Sequence, residues 1–385
     1  MSSFFFLPLM AIMVLIVFLV GIFFLGASRK ETLALTTTTL PPLDWIDPQE
    51  LSTIFPDTHF TLWNGYYVLV YDAPRFCICA TEKNHGYFKI QDAYLPFWRD
   101  TIHPWILLKS PRMKKYYFMF STMDGPYTNT PRCRGKPTLM LQPPLSLEIF
   151  KAQKQGSPCL FPVLHPHQKI GCFSMHRGDP IALPLLDPEF VMTRGHLENR
   201  QWIDRMNTPW EKKMDKMVFR GNLGNGSVYN YGDTVPTTTA TSKTPRQYFV
   251  DEVAPQFPED IDVGKDDKSV VEMCQYRYQM DIDGHSNAWS AMFWKLYSGS
   301  VVLKQESEWE QWYYRHLKPY VHYVPVRPDF SNLGEQLQWC RHHPEQCKKI
   351  AENAKQFVRK RLSWDQAVHD MQNMLWKEYF YRISI

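Results

Sequence analysis

The chain opens with an unbroken apolar run, Phe4 to Gly26, in which no position is charged. Wound as an α-helix rising about 1.5 Å per residue, the run reaches about 34 Å, enough to cross a hydrocarbon core of about 30 Å. It is longer than the apolar stretch of a cleaved signal peptide, about 7–15 residues, and Met1-Ser2-Ser3 places no cation before it. The pattern predicts an uncleaved membrane anchor over residues 1–28. Arg29 and Lys30 follow the run, and by the positive-inside rule alone they would leave the rest of the chain in the cytosol. The next segment, 29–44, contains Thr32 to Pro42, a Thr/Pro-rich stretch of the kind that stays solvated and holds a domain off a membrane. Anchor and stem together predict a single-pass type II protein whose bulk faces the lumen of the endoplasmic reticulum or Golgi.

Between Trp45 and Glu198, short aromatic and β-branched runs separated by prolines, such as Tyr66 to Tyr71 and Tyr116 to Phe120, read as buried strands between loops. From Asn199 onward the pattern changes. Strand-like runs at Met217 to Phe219, Ser300 to Leu303 and Val321 to Val324 alternate with helical stretches, as in a parallel sheet with crossover helices. The change predicts two domains, 45–198 and 199–385. Thr234 to Thr244 is polar and β-branched without alternation and reads as a loop. Near the C-terminus, Pro344 takes the first position of a helix whose Ile350, Ala354, Phe357 and Val358 share one face. Ser363 with Gln366 spells a capping box for a last helix running through Tyr379.

Length agrees with this division, because 385 residues exceed what one core usually serves at roughly 150 per domain. An apolar content of 44% is enough for large cores and excludes a disordered tail. The excess of 43 Lys and Arg over 39 Asp and Glu is only +4, too small to argue for a nucleic-acid partner. Eight cysteines, without Cys-x-x-Cys pairs or histidines at zinc spacing, fit either disulfides of an oxidising lumen or a set of buried thiols.

Candidate chemistry gathers in the second half. Phe219-Arg220-Gly221-Asn222, continuing to Ser227, is a buried strand that runs into a glycine-rich turn with a cation at its mouth. A diphosphate needs such closely approaching backbone N–H groups and a guanidinium fork, although an ordinary turn beside a solvated arginine has the same letters. Asn225-Gly226-Ser227 is an N-glycosylation sequon whose glycan would crowd that site, so it is expected to stay unused. Asp281-Ile282-Asp283 at a strand end would turn both carboxylates to one face, as a metal-holding pair does. Asp283-Gly284 is equally a strand-end turn, with Ser286 or Asn287 capping a following helix, Ala288 to Ser298. That helix carries Lys295, either a point cation for the turn or a snorkelling surface lysine. Glu306 lies beyond the strand Val301 to Lys304, where carboxylates accept from ribose hydroxyls; with Glu308 and Glu310 it would also complement a helix dipole. His322, between Val321 and Tyr323, reads as a core histidine.

Four segments in this order, Trp210 to Lys213 leading to Val218 to Asn222, Tyr276 to Gly284, Ser298 to Lys304 and Leu317 to Val326, resemble glycosyltransferase family 90, the capsule-associated-protein-type and Rumi-like protein O-glucosyltransferases. The resemblance implies an α/β fold of GT-B type, two Rossmann-like domains facing a cleft, with the donor held mainly by the C-terminal one. It implies an inverting transferase that moves a sugar, glucose or xylose, from a UDP-sugar to a hydroxyl of a protein or glycan acceptor, with no metal or other cofactor. Donor contacts would then come from Phe219, Arg220, Gly221, Asn222, Asp283, Gly284, His285, Ser286, Lys295, Ser298, Gly299 and Glu306. Thr122-Met123-Asp124-Gly125-Pro126 resembles the family's Asp-x-Pro turn, whose Asp is regarded as the base that takes the acceptor proton; read alone, the same residues make a turn. One departure stands out. Relatives carry an arginine in a Ser-x-Arg arrangement for the pyrophosphate, whereas this chain has Ser290-Ala291-Met292. The loss gives weight to a second reading, a catalytically inactive relative that binds glycans or proteins in the secretory pathway. A metal-dependent Asp-x-Asp transferase is the third.

Overall fold

The computed structural model describes residues 43–56, 66–80, 93–121, 139–141, 160–162, 169–179, 182–206, 208–223, 243–264, 268–284 and 286–383. The apolar run at 4–26, residues 29–42 of the stem, Asp124, the Asn225 sequon, His285 and the 234–242 stretch lie outside the described residues, while Leu43 and Asp44, expected to end the stem, already belong to the first strand, paired with Phe76 and Cys77. Among the described residues no helix is long and apolar enough to cross a membrane.

The first half builds a six-stranded sheet. In chain order its strands are β1 (Leu43–Ile46), β2 (Tyr66–Asp72), β3 (Arg75–Ala80) and β4 (Lys115–Ser121). A separate parallel pair follows, β5 (Leu139–Leu141) with β6 (Leu160–Pro162). Then come β7 (Ile170–Cys172), β8 (Met175–His176) and β9 (Ala182–Pro184). The spatial order is β1-β3-β2-β4-β7-β9, with β2 antiparallel to both neighbours and the outer pairs parallel. This sheet is therefore mixed and departs from a purely parallel Rossmann sheet. Alternation places Tyr67, Leu69, Phe118 and Phe120 in one core and Val68, Val70, Cys77, Cys79 and Met119 in another. Burial on both faces explains why these strands read as continuous apolar runs.

The second half supplies β10 (Met214–Phe219), β11 (Ile261–Val263), β12 (Tyr276–Asp281), β13 (Val301–Gln305), β14 (Trp309–Glu310) and β15 (Val324–Val326). Five of them form the expected all-parallel sheet, in the order β11-β10-β12-β13-β15. One face buries Met217, Tyr278, Met280 and Leu303 against Phe249, Leu333 and Ile350. The other buries Val218, Tyr276 and Val302 in the large core that also holds Phe118 and Phe120 of the first sheet. The short β14 pairs antiparallel with β8, joining the two halves. Pro42–Ile385 constitute one compact unit.

Several local expectations change. The strand expected from Val321 begins only at Val324, because Tyr320 adopts a left-handed φ of 56° and its N–H donates to the Tyr323 carbonyl at 2.7 Å, closing a turn. His322 sits in that turn, its Nδ1 accepting from the Lys318 N–H at 3.0 Å and its ring beside Phe357, so it is not a mid-strand core residue. Glu306, Glu308 and Glu310 open no helix; the chain there runs into β14. The helix Pro344–Arg361 buries Ile350, Ala354, Phe357 and Val358 as the pattern predicts. Ser363 does stand at the N-cap of the helix Trp364–Leu375, but its side chain makes no capping bond. The last turns swing back to the first sheet, where the Tyr379 hydroxyl donates to the Tyr117 carbonyl at 2.5 Å. All six described cysteines, Cys77, Cys79, Cys172, Cys274, Cys340 and Cys347, are buried free thiols, so among them the thiol reading holds and the disulfide reading does not.

Burial also sets an acid limit on stability. His103, bonded through Nδ1 to the Tyr116 hydroxyl at 2.7 Å, and His196 are buried, which pushes both down to about 4. An unfolded histidine titrates near 6.5, so between about pH 6.5 and 4 the unfolded chain binds more protons and folding stability falls as pH falls. The expected loss is up to about 1.4 kcal/mol per pH unit for each histidine. Urea unfolding at several pH values in this window should show the decline, and His103→Gln should flatten its slope.

Candidate functional site

In the five-stranded sheet β10 and β12 are neighbours, yet the chain leaves β10 for β11 on one side and leaves β12 for β13 and β15 on the other. This reversal is a topological switch point, and in open α/β sheets the crevice beyond the strand C-termini at such a point is where ligands bind. The register Val218↔Gln279 and Asp281↔Lys304 brings Arg220 to Asn222, Asp281 to Gly284 and Lys304 to Glu306 out on that one edge. Phe219, Arg220, Gly221, Asn222, Asp283, Gly284, Ser286 and Glu306 therefore gather where the sequence suggested. Glu306 is exposed, with its backbone N–H bonded to the Val326 carbonyl. The Ser286 hydroxyl accepts from the Ala288 N–H at 3.2 Å in a local turn and caps no helix; the helix begins at Ala291.

Ser298 and Gly299 do not join them. They precede β13, and because β12 and β13 are parallel they lie at the opposite, N-terminal end of the sheet. There Ser298 accepts Lys213 at its carbonyl, and its hydroxyl bonds the Lys295 carbonyl; Gly299 takes a φ of 71° to turn the chain into the strand.

The cations are also arranged differently from expectation. Arg220 is held by the Asp262 carboxylate at 2.7 Å and by the carbonyls of Phe219 and Asp262 at 2.9 Å, with its side chain only 8% exposed. Asp262 also accepts the Tyr276 hydroxyl. Arg220 thus pins the ends of β10 and β11 together and carries little net charge into the crevice. Lys295 is neither a surface lysine nor a free point cation: it is buried and paired with Asp281 at 2.7 Å. Lys304 faces Asp283 at 3.7 Å, and the Ser307 hydroxyl donates to the same carboxylate.

Each carboxylate of Asp-Ile-Asp thus already faces an ammonium, and a bound cation would have to compete with a buried lysine. Burial pushes the Asp281 carboxyl up, but Lys295 and Lys304 more than offset this and hold it below the usual carboxylate range. Asp283 ends above that range, because burial and the neighbouring Asp281 outweigh Lys304. Among the described residues no group of three or more His, Cys, Asp or Glu could hold a metal ion.

The cation left over is one that sequence reasoning missed. Arg246 lies in the short helix Pro245–Tyr248, opened by a true capping box in which Thr244 and Gln247 bond reciprocally and Pro245 takes the first position. The Thr244 hydroxyl also donates to the Leu223 carbonyl at 3.3 Å, tying the helix to the strand-end segment. The Arg246 guanidinium spans the switch point, donating to the Ile282 carbonyl at 3.0 and 3.1 Å and to the Asn222 carbonyl at 3.3 Å. It lies against Gly284, where a Cβ would stand 3.2 Å from Nη2, so this glycine makes room for the fork. Among the described residues no carboxylate pairs with it. Met292, at one of the two positions where an arginine is missing, is buried in the core.

Residues 192–383 match the profile described as Glycosyl transferase family 90. Among curated proteins the chain is similar to human Protein O-glucosyltransferase 1, with 31% identity over 175 residues, 43% of this chain and 42% of that protein. It is similar to zebrafish (Danio rerio) Protein O-glucosyltransferase 2, 39% identical over 97 residues, covering 25% of this chain and 19% of that one. An uncharacterized protein, 179R of Invertebrate iridescent virus 6, is 31% identical over 209 residues, 45% of this chain and 18% of its own. The chain thus spans less than half the length of each of these relatives. The solved structure of Anabaena Alr3699/HepE in complex with UDP-glucose aligns over 46% of this chain and 52% of its own at 11% identity and a TM-score of 0.30, a likeness too slight to bear on the fold.

Proposed function

Because the chain belongs to glycosyltransferase family 90, we propose that it transfers a sugar from a nucleoside-diphosphate sugar to a hydroxyl of a protein or glycan acceptor, with inversion and without a metal. The observation that carries this reading is the Arg246 guanidinium, paired with no carboxylate among the described residues and lying across the β10/β12 switch point beside Gly221 and Gly284. A guanidinium bonded to backbone carbonyls at a strand-end crevice offers a cation there, and its fork suits a diphosphate. Arg246 would thereby do the work of the absent Ser-x-Arg arginine, which favours an active transferase over an inactive binding factor. Glu306, exposed just beyond β13, would accept from a ribose hydroxyl. Asp124 would serve as the base for the acceptor. We take the fold to be of GT-B type, with the first half on the acceptor side. The names of the vertebrate relatives make glucose the first sugar to test and UDP the first nucleotide; xylose is the next. The apolar run at 4–26 would place the chain as a type II protein of the endoplasmic reticulum or Golgi.

Titration of UDP and UDP-glucose by calorimetry tests the reading. Arg246→Ala is expected to weaken UDP about 10- to 100-fold, since a hydrogen bond to a charged group contributes about 1.5–3 kcal/mol, while the melting temperature stays close to that of the parent. Binding of UDP that survives Arg246→Ala unchanged, or no binding by the parent protein, would sink it. Activity is expected to persist in EDTA; loss on chelation with rescue by Mn²⁺ would restore the Asp-x-Asp metal mechanism.

A further inference from the structure

We propose that Asn287 is a positioning residue: it holds the Ser286–Ser290 turn of the donor crevice against the first half of the chain, so that the crevice is complete only when the two halves are docked. This rests on the reading above only in taking the crevice as a nucleotide site.

The turn is strained. Trp289 has a φ of 77°, a left-handed conformation that a bulky residue keeps only when its surroundings over-determine it. The restraints come from two sides. From the second half, the Gln311 amide donates to the carbonyls of Asn287 and, at 3.3 Å, Trp289. From the first half, the hydroxyl of Ser174, fully buried just beyond β7, donates to Asn287 Oδ1 at 2.7 Å, and Glu189 accepts the Ser290 hydroxyl at 3.3 Å.

Asn287 joins the two sets. It is buried, its Oδ1 accepts from Ser174, its Nδ2 donates to the Trp309 carbonyl in β14, and its own carbonyl accepts Gln311. An amide is the side chain that accepts at one end and donates at the other in this geometry; an aspartate loses the donor and a leucine loses both. The β8/β14 ladder, with Met175 opposite Glu310 and His176 opposite Trp309, brings Ser174 to it. The Gly284 N–H donates to the Ser286 carbonyl at 3.0 Å, which ties the turn to the strand end, and Gly284 is the residue against which Arg246 rests. Releasing Asn287 therefore frees the turn to relax away from the Arg246 fork.

The test compares UDP affinity by calorimetry with stability in urea for the parent, Asn287→Ala, Ser174→Ala and Arg177→Ala. Arg177 pairs with Glu310 on the exposed rim of the same ladder at 2.6 Å and is the control. Ser174→Ala is expected to weaken UDP about 3- to 10-fold and Asn287→Ala about 10-fold or more, while Arg177→Ala changes neither affinity nor stability. Ser174→Ala combined with Asn287→Ala should bind no more weakly than Asn287→Ala alone, as expected for residues acting through one bond. A purely structural bridge would lower stability and leave the affinity of the folded fraction unchanged, which overturns the proposal. If Asn287→Ala does not fold, Ser174→Ala, which removes one hydroxyl, decides the matter alone. A parent protein that binds UDP through Arg246 with affinity indifferent to Ser174 overturns this inference and leaves the functional reading standing. A parent that binds no UDP overturns both.

Discussion

Replacing Asp124 by Asn is expected to lower kcat for sugar transfer by about 10²–10⁴-fold while leaving the melting temperature and UDP affinity close to the parent values. An acceptor hydroxyl is a poor nucleophile at neutral pH, so a carboxylate must take its proton as the new glycosidic bond forms. Asparagine has nearly the same shape and keeps an acceptor oxygen for the turn, so a residue serving only as a turn former would tolerate the change. β4 ends at Ser121, three residues before Asp124, and β7, parallel to β4, ends two residues before Ser174, which touches the donor-side turn. The first sheet thus turns this strand edge toward the crevice. Since the base must be ionised, the parent kcat/KM should fall at acid pH. Transfer by Asp124→Asn at close to the parental rate would move the base elsewhere.

Removing Lys295 should cost the most stability of any single change near the site. Lys295→Met strands the Asp281 carboxylate in a buried position, and breaking a buried pair in this way costs about 3–5 kcal/mol. The sign of the pH dependence follows from the direction of the shift. In the parent, Asp281 titrates below its unfolded value, so the pair stabilises at neutral pH and the benefit is lost as pH falls through the folded value. Without Lys295, burial is opposed only by the more distant cations and the carboxyl moves up, so protonation relieves the variant first. The stability gap between parent and Lys295→Met, measured by urea unfolding, should therefore narrow on going from pH 7 toward pH 4. Lys295→Met combined with Asp281→Leu leaves neither charge buried and should recover most of the loss. A loss below about 1 kcal/mol for the single variant would show that water or another cation compensates Asp281.

Tyr66 to Tyr71, Tyr116 to Phe120, Met217 to Phe219 and Ser300 to Leu303 announce their strands because sheets buried on both faces demand unbroken apolar runs. The helix after Pro344 is equally plain, because its buried face repeats at helical spacing. Val321 to Val324 misleads, because a β-branched run says nothing about a left-handed Tyr320 that closes a turn inside it. Thr244-Pro245-Arg246-Gln247 holds a helix-start signal, Thr three residues before Gln with proline between, which could have marked the helix. No local pattern could have placed it beside Gly284, 38 positions further along.

Local chemistry, then, was written in the chain itself: which segments are strands, that the second half is a parallel sheet with crossovers, and that Gly221 and Asp281 to Gly284 end their strands. These follow from interactions between residues near in sequence, namely side-chain alternation, proline geometry and turn preferences. Tertiary structure alone decided which charges are spent and which remain. It paired Arg220 with Asp262 and Lys295 with Asp281, set Ser298 and Gly299 at the far end of β13, and laid Arg246, without a carboxylate partner among the described residues, over the switch point. The physical reason is that a charge is neutralised by whatever lies within a few ångströms of it, and across a parallel sheet those neighbours arrive from crossovers tens of residues apart.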